Sequence, residues 1–213
     1  MPHDPEALDA VALSALLASR LCHDLINPIG ALGSGLEVLD DPDMDQTMRA
    51  AALDLIRSGG EKSVALLKYA RLAYGAAGGR GAELPMEEAA SILGELYKWF
   101  KAELVWKIEP GLAAKERVKT ALILAYAAAD CVPRGGTVAI SGGADELRVE
   151  ATGPRVILQP DLAAALAGAA DELKPKFAPA YVAGLLAREA GGEASAVLDG
   201  ERVLLRAKFG AGH

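Results

Sequence analysis

Two long helical stretches joined by a short acidic break constrain this chain more than any other feature. Residues 6–40 carry leucine or isoleucine at spacings of three and four, which places these side chains in one stripe of an amphipathic helix. A second helix is predicted from about residue 44 to residue 75. The break DDPDMD, residues 40–45, combines Pro42 with acidic residues suited to capping the next helix. Two long helices around a short turn predict an antiparallel hairpin.

Each helix of this hairpin has its own apolar stripe. The first stripe contains Leu17, Leu21, Leu25, Ile29, Leu32, Leu36 and Leu39. The second contains Met48, Ala52, Leu55, Ile56, Leu66, Leu67 and Tyr69. A lone hairpin buries both stripes poorly, whereas two hairpins paired into a four-helix bundle cover them. We therefore expect a homodimer.

The pattern changes after a glycine-rich break at residues 75–83. Residues 77–83 are interpreted as a linker between a first domain, residues 1–76, and a second domain, residues 84–213. Helices are predicted over residues 86–101, 114–131, 160–168 and 178–190, and strands over residues 103–109, 135–141, 146–152, 193–199 and 202–209. Helices on one face of a mostly antiparallel sheet form an α/β sandwich, so we expect an α+β fold.

Composition and charge argue against several classes of protein. The net charge of −7 disfavours a nucleic-acid partner, because phosphates attract a basic surface. No apolar run is long enough to span a bilayer, and the acidic N-terminus lacks the features of a signal peptide. Cys22 and Cys131 lie far apart in sequence and predict neither a disulfide framework nor a metal cluster. We expect a cytoplasmic protein with no nucleic-acid or membrane partner.

His23, within RLCHDLINPIG at residues 20–30, is the candidate functional residue. It lies about 200° around the helix from both Leu21 and Leu25, so it points away from the apolar stripe. The other two histidines, His3 and His213, lie at the chain ends, which rules out a multi-histidine metal site. An outward histidine on a helix is often inert, so its neighbours decide whether it is functional.

A strip of small and polar residues surrounds His23. It contains Arg20, Asn27, Gly30 and Ser34, with Gly33 and Gly35 close by. Each glycine costs the helix about 1 kcal/mol relative to alanine, and Pro28 costs more. A helix that accepts these costs beside an outward histidine is suited to close approach by another surface. Tight packing between the bundle helices is the alternative explanation for the glycines.

The sequence H-D-L-I-N-P-I, residues 23–29, resembles the H-box of two-component histidine kinases, in which an acid and then a proline follow the phospho-accepting histidine. Residues 20–30 resemble more closely the ChpT-type histidine phosphotransferases, and the resemblance covers nearly the whole chain. It implies a dimerising helical hairpin, a degenerate Bergerat-like ATPase domain, and phosphate carried on His23 without use of ATP. Ile26 departs from the kinase pattern, which usually has a basic residue at that position.

The residues around His23 suit this chemistry. A neutral imidazole is a nucleophile near physiological pH and can attack an aspartyl phosphate. Asp24 is the candidate orienter or general base. Consecutive side chains do not face each other on a helix, however, so a solvated acid and a contact to a partner are alternatives for Asp24. Arg20 is a candidate contact to phosphate or to a receiver, with a surface ion pair as the alternative.

Asn27 is also a candidate for a second role. Asp24-x-x-Asn27 resembles the acid-x-x-Asn/Thr pattern with which bifunctional kinases position water for phosphatase action. A simple polar contact on the surface is the alternative. We expect Asn27, Gly30 and Ser34 to contact a docked partner.

Three nucleotide-binding features of the kinases fail together in the second domain. They are the asparagines that hold Mg²⁺, the D-x-G-x-G motif whose aspartate recognises adenine, and the glycine-rich lid. The residues at or near the corresponding positions are Ile123, Ala127, Ala151, Arg155, Phe177 and Pro179. Aliphatic side chains cannot ligate a hard cation, and proline has no N–H to donate to phosphate. We therefore predict no ATP binding.

The leading prediction is a dimeric phosphotransferase that exchanges phosphate with the receiver domains of a hybrid histidine kinase and of response regulators. We expect no cofactor or metal on this chain, with Mg²⁺ held in the acidic pocket of the partner receiver. An ATP-dependent histidine kinase and a non-catalytic dimeric scaffold that binds receivers are the alternatives.

Overall fold

The chain forms a two-helix hairpin followed by a mixed sheet covered by helices. The computed structural model describes residues 8–76, 79, 81–169 and 171–210. Its helices are α1 (Ala10–Asp40), α2 (Gln46–Ala73), α3 (Met86–Tyr97), α4 (Lys115–Ala129), α5 (Pro160–Ala167) and α6 (Ala178–Glu189), with a 3₁₀ turn at Pro175–Phe177. Its strands are β1 (Glu83–Pro85), β2 (Ala102–Lys107), β3 (Leu112–Ala114), β4 (Gly136–Gly142), β5 (Glu146–Thr152), β6 (Glu193–Asp199) and β7 (Arg202–Lys208). The expected α+β class is confirmed.

Side chains of the acidic break close the hairpin. The Asp45 carboxylate accepts a hydrogen bond from the Met48 amide at 2.8 Å and caps α2. The Arg49 guanidinium donates to the carbonyl oxygens of Leu39 and Asp41 at the end of α1, where helix carbonyls run out of partners within the helix. Both predicted helices are therefore present, although residues 6 and 7 of the first lie outside the described residues.

The glycines of α1 divide into two groups. Gly35 is buried where α1 crosses α2, and a Cβ there would lie 2.5 Å from Ile56 Cγ1 and 2.9 Å from the Ala52 carbonyl oxygen. A Cβ at Gly30 or Gly33 would meet nothing within 4 Å. Helix packing thus explains Gly35, whereas Gly30 and Gly33 leave open space beside the exposed side of α1.

The main sheet has five strands in the order β2-β4-β5-β7-β6. The β2–β4 pair is parallel, and the remaining pairs are antiparallel, so the mostly antiparallel sheet is confirmed. Val138, Ile140, Val149 and Leu205 alternate along their strands and are fully buried on one face. That face packs against the helices of the second half of the chain.

Helix α4 forms the centre of the molecule. Nine of its fifteen residues are buried, and the helix contacts the sheet, α3, α6 and α2. A helix that is apolar on nearly every side belongs inside a protein, which explains the run TALILAYAAA. Through its contacts to α2 and to residues of α1, α4 joins the hairpin to the sandwich.

The sequence did not predict strands β1 and β3. They pair antiparallel, with Leu84 opposite Ala113, and lie just before α3 and α4 respectively. Strands of three residues are too short to show the alternation of a half-buried strand. β1 begins at Glu83, the last residue of the predicted linker, whereas Ala77, Gly78 and Arg80 lie outside the described residues. Within the described part of the chain, no helix is long and apolar enough to cross a membrane.

Candidate functional site

His23 lies near the middle of α1 with 76% of its side chain exposed. Asn27, Gly30 and Ser34 are also exposed and follow it along the same side of the helix. The structure therefore brings together the histidine and these three predicted contact residues on one accessible strip. The flanking Cys22 is exposed as well.

Asp24 lies about 100° further around α1 and is largely buried, with 14% of its side chain exposed. Its Oδ2 atom accepts hydrogen bonds from Arg20 Nε at 2.8 Å and from the Tyr126 hydroxyl at 3.0 Å. Its other oxygen, Oδ1, lies 3.4 Å from His23 Nδ1. Asp24 is thus not a solvated surface acid, and one of its oxygens stays available to the histidine.

Arg20 is not on the exposed strip where the helical spacing had placed it. Only 10% of its side chain is exposed, because it lies about 60° around α1 from His23 and α4 covers that side. Its Nη2 donates to the Tyr126 hydroxyl at 3.3 Å, and its guanidinium lies 5.4 Å from the centre of the Tyr126 ring. The expected placement of Arg20 on the surface strip is therefore wrong, and its ion pair with Asp24 is buried and not on the surface.

Burial and charge act in opposite directions on Arg20. Burial lowers its pKa, but the neighbouring Tyr126 and Asp24 together raise that pKa above its ordinary value. Arg20 is therefore a permanent cation beside the Asp24 carboxylate. Because the pair is largely withdrawn from water, its hydrogen bonds are stronger than those of a surface pair.

Tyr126 is held in place by other aromatic rings. Its ring stacks on Tyr69 of α2 at 4.7 Å between centroids, and Phe100 meets it edge-on at 5.4 Å. Tyr74 donates a hydrogen bond to the Tyr69 hydroxyl at 3.3 Å. Burial, followed by the nearby Asp24 charge, raises the pKa of Tyr126 above its ordinary value. Its hydroxyl is therefore protonated at neutral pH and donates to Asp24.

The sequence did not predict a role for Tyr126. The available clue is that a tyrosine within an apolar helix needs a partner for its hydroxyl when buried. That clue does not identify the partner, which lies 102 positions earlier in the chain. We call the closed arrangement of Arg20, Asp24 and Tyr126 the clamp.

Four of the six residues at or near the nucleotide-binding positions of the resembled kinases line one small cavity. Ile123, Ala127, Phe177 and Pro179 line a cavity of about 20 Å³, and Arg20 of α1 forms part of its wall. A single water needs roughly 10–15 Å³ by this measure, so the cavity holds about one water molecule. The other two positions are not part of it: Ala151 is fully buried within β5, and Arg155 is exposed in the loop after that strand.

The described residues offer little for metal binding. Among them, no three histidine, cysteine, aspartate or glutamate side chains are grouped so that they could hold an ion. Cys22 and Cys131 are both free thiols, the first exposed and the second buried.

Comparison with known proteins identifies the family. The sequence model described as "Histidine phosphotransferase C-terminal domain" matches residues 86–202, which is more than half of the chain. The chain belongs to the histidine phosphotransferase family. This match covers the sheet and its helices and does not include α1, so the assignment of roles around His23 rests on the geometry above.

Two relatives agree with this membership. The phosphotransferase is 35% identical over 154 residues to the protein phosphotransferase ChpT of Brucella abortus (strain 2308), covering 72% of this chain and 69% of that protein. A solved structure of a bacterial phosphotransferase superposes with a TM-score of 0.83 at 31% identity, covering 96% of this chain and 99% of the other. The protein is thus a histidine phosphotransferase of a phosphorelay.

Proposed function

We propose that His23 is the residue that carries phosphate in this phosphotransferase. The observation that carries the proposal is the position of its imidazole, which is exposed while its Nδ1 lies 3.4 Å from the buried Asp24 carboxylate. His23 is also the only histidine among the described residues. An accessible nitrogen with a fixed acid on the other side of the ring is the arrangement that nucleophilic catalysis by histidine requires.

The transfer itself needs only the groups already named. With the proton on Nδ1, the Nε2 lone pair of His23 attacks the phosphorus of an aspartyl phosphate. The P–N bond forms as the P–O bond breaks, and the receiver's aspartate leaves as a carboxylate. The imidazole ring becomes positively charged, and Asp24 stabilises that charge. No proton has to leave the histidine, and the reverse transfer follows the same path.

The partners we propose are receiver domains of a hybrid histidine kinase and of response regulators. The exposed strip of Asn27, Gly30 and Ser34 continues from His23 along α1 and leaves room for a docked surface. Mg²⁺ would belong to the receiver, because no cluster of ligands occurs among the described residues of this chain and the receiver's acidic pocket supplies oxygen ligands.

We further propose that this chain does not use ATP. The cavity beside Ile123 and Ala127 has room for about one water molecule, and these aliphatic side chains offer no ligand for the Mg²⁺ that accompanies a nucleotide. Arg20 forms part of its wall, and Lys176 lies 3.5 Å from Asp130 among its lining residues.

A second copy of the chain is the proposed partner of the hairpin's outer face. Large apolar side chains of α1 and α2 remain at least 42% exposed: Val11, Ile26, Ile29, Leu36, Met48, Leu53, Leu55, Val64 and Leu67. Patches of this kind mark interaction sites, and two hairpins can cover them in a four-helix bundle. On this proposal residues 1–76 are the phosphotransfer and dimerisation domain, residues 84–213 are the degenerate ATPase-like domain, and the protein is cytoplasmic.

The phosphotransfer proposal is tested with a receiver domain carrying a radiolabelled aspartyl phosphate. Label should move to the wild-type protein as an acid-labile, base-stable adduct, should be absent in His23→Ala, and should persist in the matched control Cys22→Ala. Incubation with labelled ATP should give none. Label acquired directly from ATP would make the protein a kinase, and binding of several receivers without any label would leave a scaffold.

The dimer is tested by sedimentation equilibrium. A charge placed in the exposed apolar face, as in Leu36→Glu, should convert a dimer to a monomer. Leu112→Glu is the control, because Leu112 is also exposed but lies on β3, outside the hairpin. A monomeric wild-type protein at micromolar concentration would contradict the four-helix bundle.

A further inference from the structure

We propose that Tyr126 is a positioning residue for phosphotransfer, acting on His23 through Asp24. This inference rests on the proposed role of His23, and it assigns to the second domain a function other than binding a nucleotide. Tyr126 belongs to α4, whereas His23 and Asp24 belong to α1. The second domain therefore contributes a side chain to the site.

The clamp fixes the orientation of the Asp24 carboxylate relative to the histidine. Arg20 Nε and the Tyr126 hydroxyl both donate to Oδ2, at 2.8 and 3.0 Å, so this oxygen is occupied. Oδ1 is the atom beside His23 Nδ1. Without the two donors, the carboxylate would be free to rotate about its own axis and turn toward water, because consecutive side chains on a helix do not naturally face each other.

The tyrosine itself has little freedom. Its hydroxyl accepts a hydrogen bond from Arg20 and donates one to Asp24, while its ring is stacked against Tyr69 and touched edge-on by Phe100. A group that is locked by packing and by two hydrogen bonds can hold its neighbour in one orientation. Tyr126 thus holds Asp24 in one orientation beside the exposed His23 side chain.

The consequence for His23 is a defined tautomer. An Asp24 oxygen held beside Nδ1 favours the proton on that nitrogen, which leaves the Nε2 lone pair free to attack phosphorus. In the opposite tautomer Nε2 carries the proton and has no lone pair with which to attack. The Tyr126 hydroxyl holds the Asp24 carboxylate in the position that keeps His23 in its reactive tautomer, and this carboxylate balances the positive ring once phosphate is attached.

The test removes one oxygen atom. Tyr126→Phe keeps the ring stacking, and we expect the maximal rate of transfer from a phosphorylated receiver to fall by about tenfold to a hundredfold, the effect of losing a hydrogen bond to a charged group. The receiver concentration at half-maximal rate should not change, because Tyr126 does not lie on the docking strip. Tyr97→Phe is the matched control, since it removes another buried hydroxyl, which donates to Ala125 at 2.6 Å, without touching Asp24.

A spectroscopic measurement distinguishes a positioning role of Tyr126 from a role in stabilising the fold. ¹⁵N NMR of the imidazole rings should show His23 with its proton on Nδ1 in wild type and in Tyr97→Phe, and a shift toward Nε2 in Tyr126→Phe. Unequal effects of the two tyrosine substitutions on rate and tautomer would establish the role.

Three results would overturn the inference. They are a wild-type rate in Tyr126→Phe, equal losses of rate in the two tyrosine variants, and a wild-type His23 protonated on Nε2. The last measurement needs no variant, so it decides even where Tyr126→Phe does not fold. Transfer that survives in His23→Ala would instead remove the proposed function on which the inference rests.

Discussion

The carbonyl oxygen of Pro28 lies directly against the backbone at Gly59, where a Cβ would come within 2.6 Å of it. Pro28 lies inside α1 and Gly59 inside α2, and both are buried. The contact occurs about five residues after His23, where the two helices of the hairpin approach backbone to backbone. The carbonyl group of Pro28 thus leaves no room for a Cβ at position 59. This explains why α2 has a glycine there in spite of its low helix propensity.

Replacing Gly59 tests this contact. We expect Gly59→Ala to lower the free energy of unfolding by about 1–2 kcal/mol, because overpacking costs more than the gain in helix propensity returns. Gly60→Ala is the matched control. A Cβ at Gly60 would meet only Leu32 Cδ2, at 3.9 Å, so this variant should be more stable by up to about 1 kcal/mol. Urea unfolding followed by circular dichroism measures both, and equal shifts of the two variants would refute the contact.

The clamp predicts that two aspartates of the hairpin, Asp24 and Asp54, contribute very differently to the free energy of unfolding. Asp24→Ala leaves the buried Arg20 without its anion, which should cost about 3–5 kcal/mol of unfolding free energy. Asp54→Ala is the comparison, because Asp54 also pairs with an arginine on its own helix, Arg57, but both side chains are exposed. That loss should be less than about 1 kcal/mol. Similar losses in urea unfolding would mean that the Asp24 pair is solvated.

The hairpin and the outward histidine were predictable because helical periodicity is a local property. The spacing of the leucines alone orients α1, and it places His23 away from them. The same reasoning misplaced Arg20. A step of three residues moves only about 60° from His23, which is enough to bring Arg20 under α4 once the second half of the chain is present.

The remainder of the clamp depends on tertiary contacts that no local pattern encodes. Because α4 is apolar on nearly every side, its sequence does not indicate which face meets the hairpin or where Tyr126 points. The partner of the Tyr126 hydroxyl lies 102 residues away. Strands β1 and β3 were not predicted for another reason: a strand of three residues is too short to show an alternating pattern of apolar and polar residues.

The two cysteines should differ sharply in reactivity toward alkylating reagents. Cys22 is exposed beside His23, whereas Cys131 is buried and its pKa is raised to about 12 by burial and then by the nearby Asp130 charge. Mass spectrometry after a short iodoacetamide pulse at pH 8 should find one modified thiol in the native protein and two in denaturant.

The same pulse reports on docking. A receiver bound over His23 should protect Cys22 from alkylation, while a response regulator lacking its receiver domain should not. Unprotected Cys22 in a complex that still transfers phosphate would place the receiver elsewhere on the hairpin. Rapid labelling of Cys131 in the native state would contradict its burial.

Alkaline pH should destabilise the protein more than a chain with exposed tyrosines. Burial raises the pKa of Cys131 from its ordinary 9.0 to about 12 and that of Tyr74 from 10.0 to about 12. The pKa values of Tyr69 and Tyr126 are raised by burial as well. Above pH 9 the unfolded chain releases protons that the folded chain keeps, so stability is complete below pH 9 and falls as pH rises toward 12.

Urea midpoints at pH 8, 9.5 and 11 measure this dependence. The midpoint should fall at each step, first because the Cys131 thiol ionises in the unfolded chain and then because the tyrosine hydroxyls do so. Burial lowers the pKa values of Lys119 and Arg117, which acts in the opposite direction, but these two groups are outnumbered by the buried thiol and tyrosines. In Cys131→Ala the fall between pH 8 and 9.5 should shrink while the fall above pH 10 remains. A midpoint that stays constant up to pH 11 would mean that the tyrosine hydroxyls titrate freely, which is incompatible with a buried Tyr126 donating to Asp24.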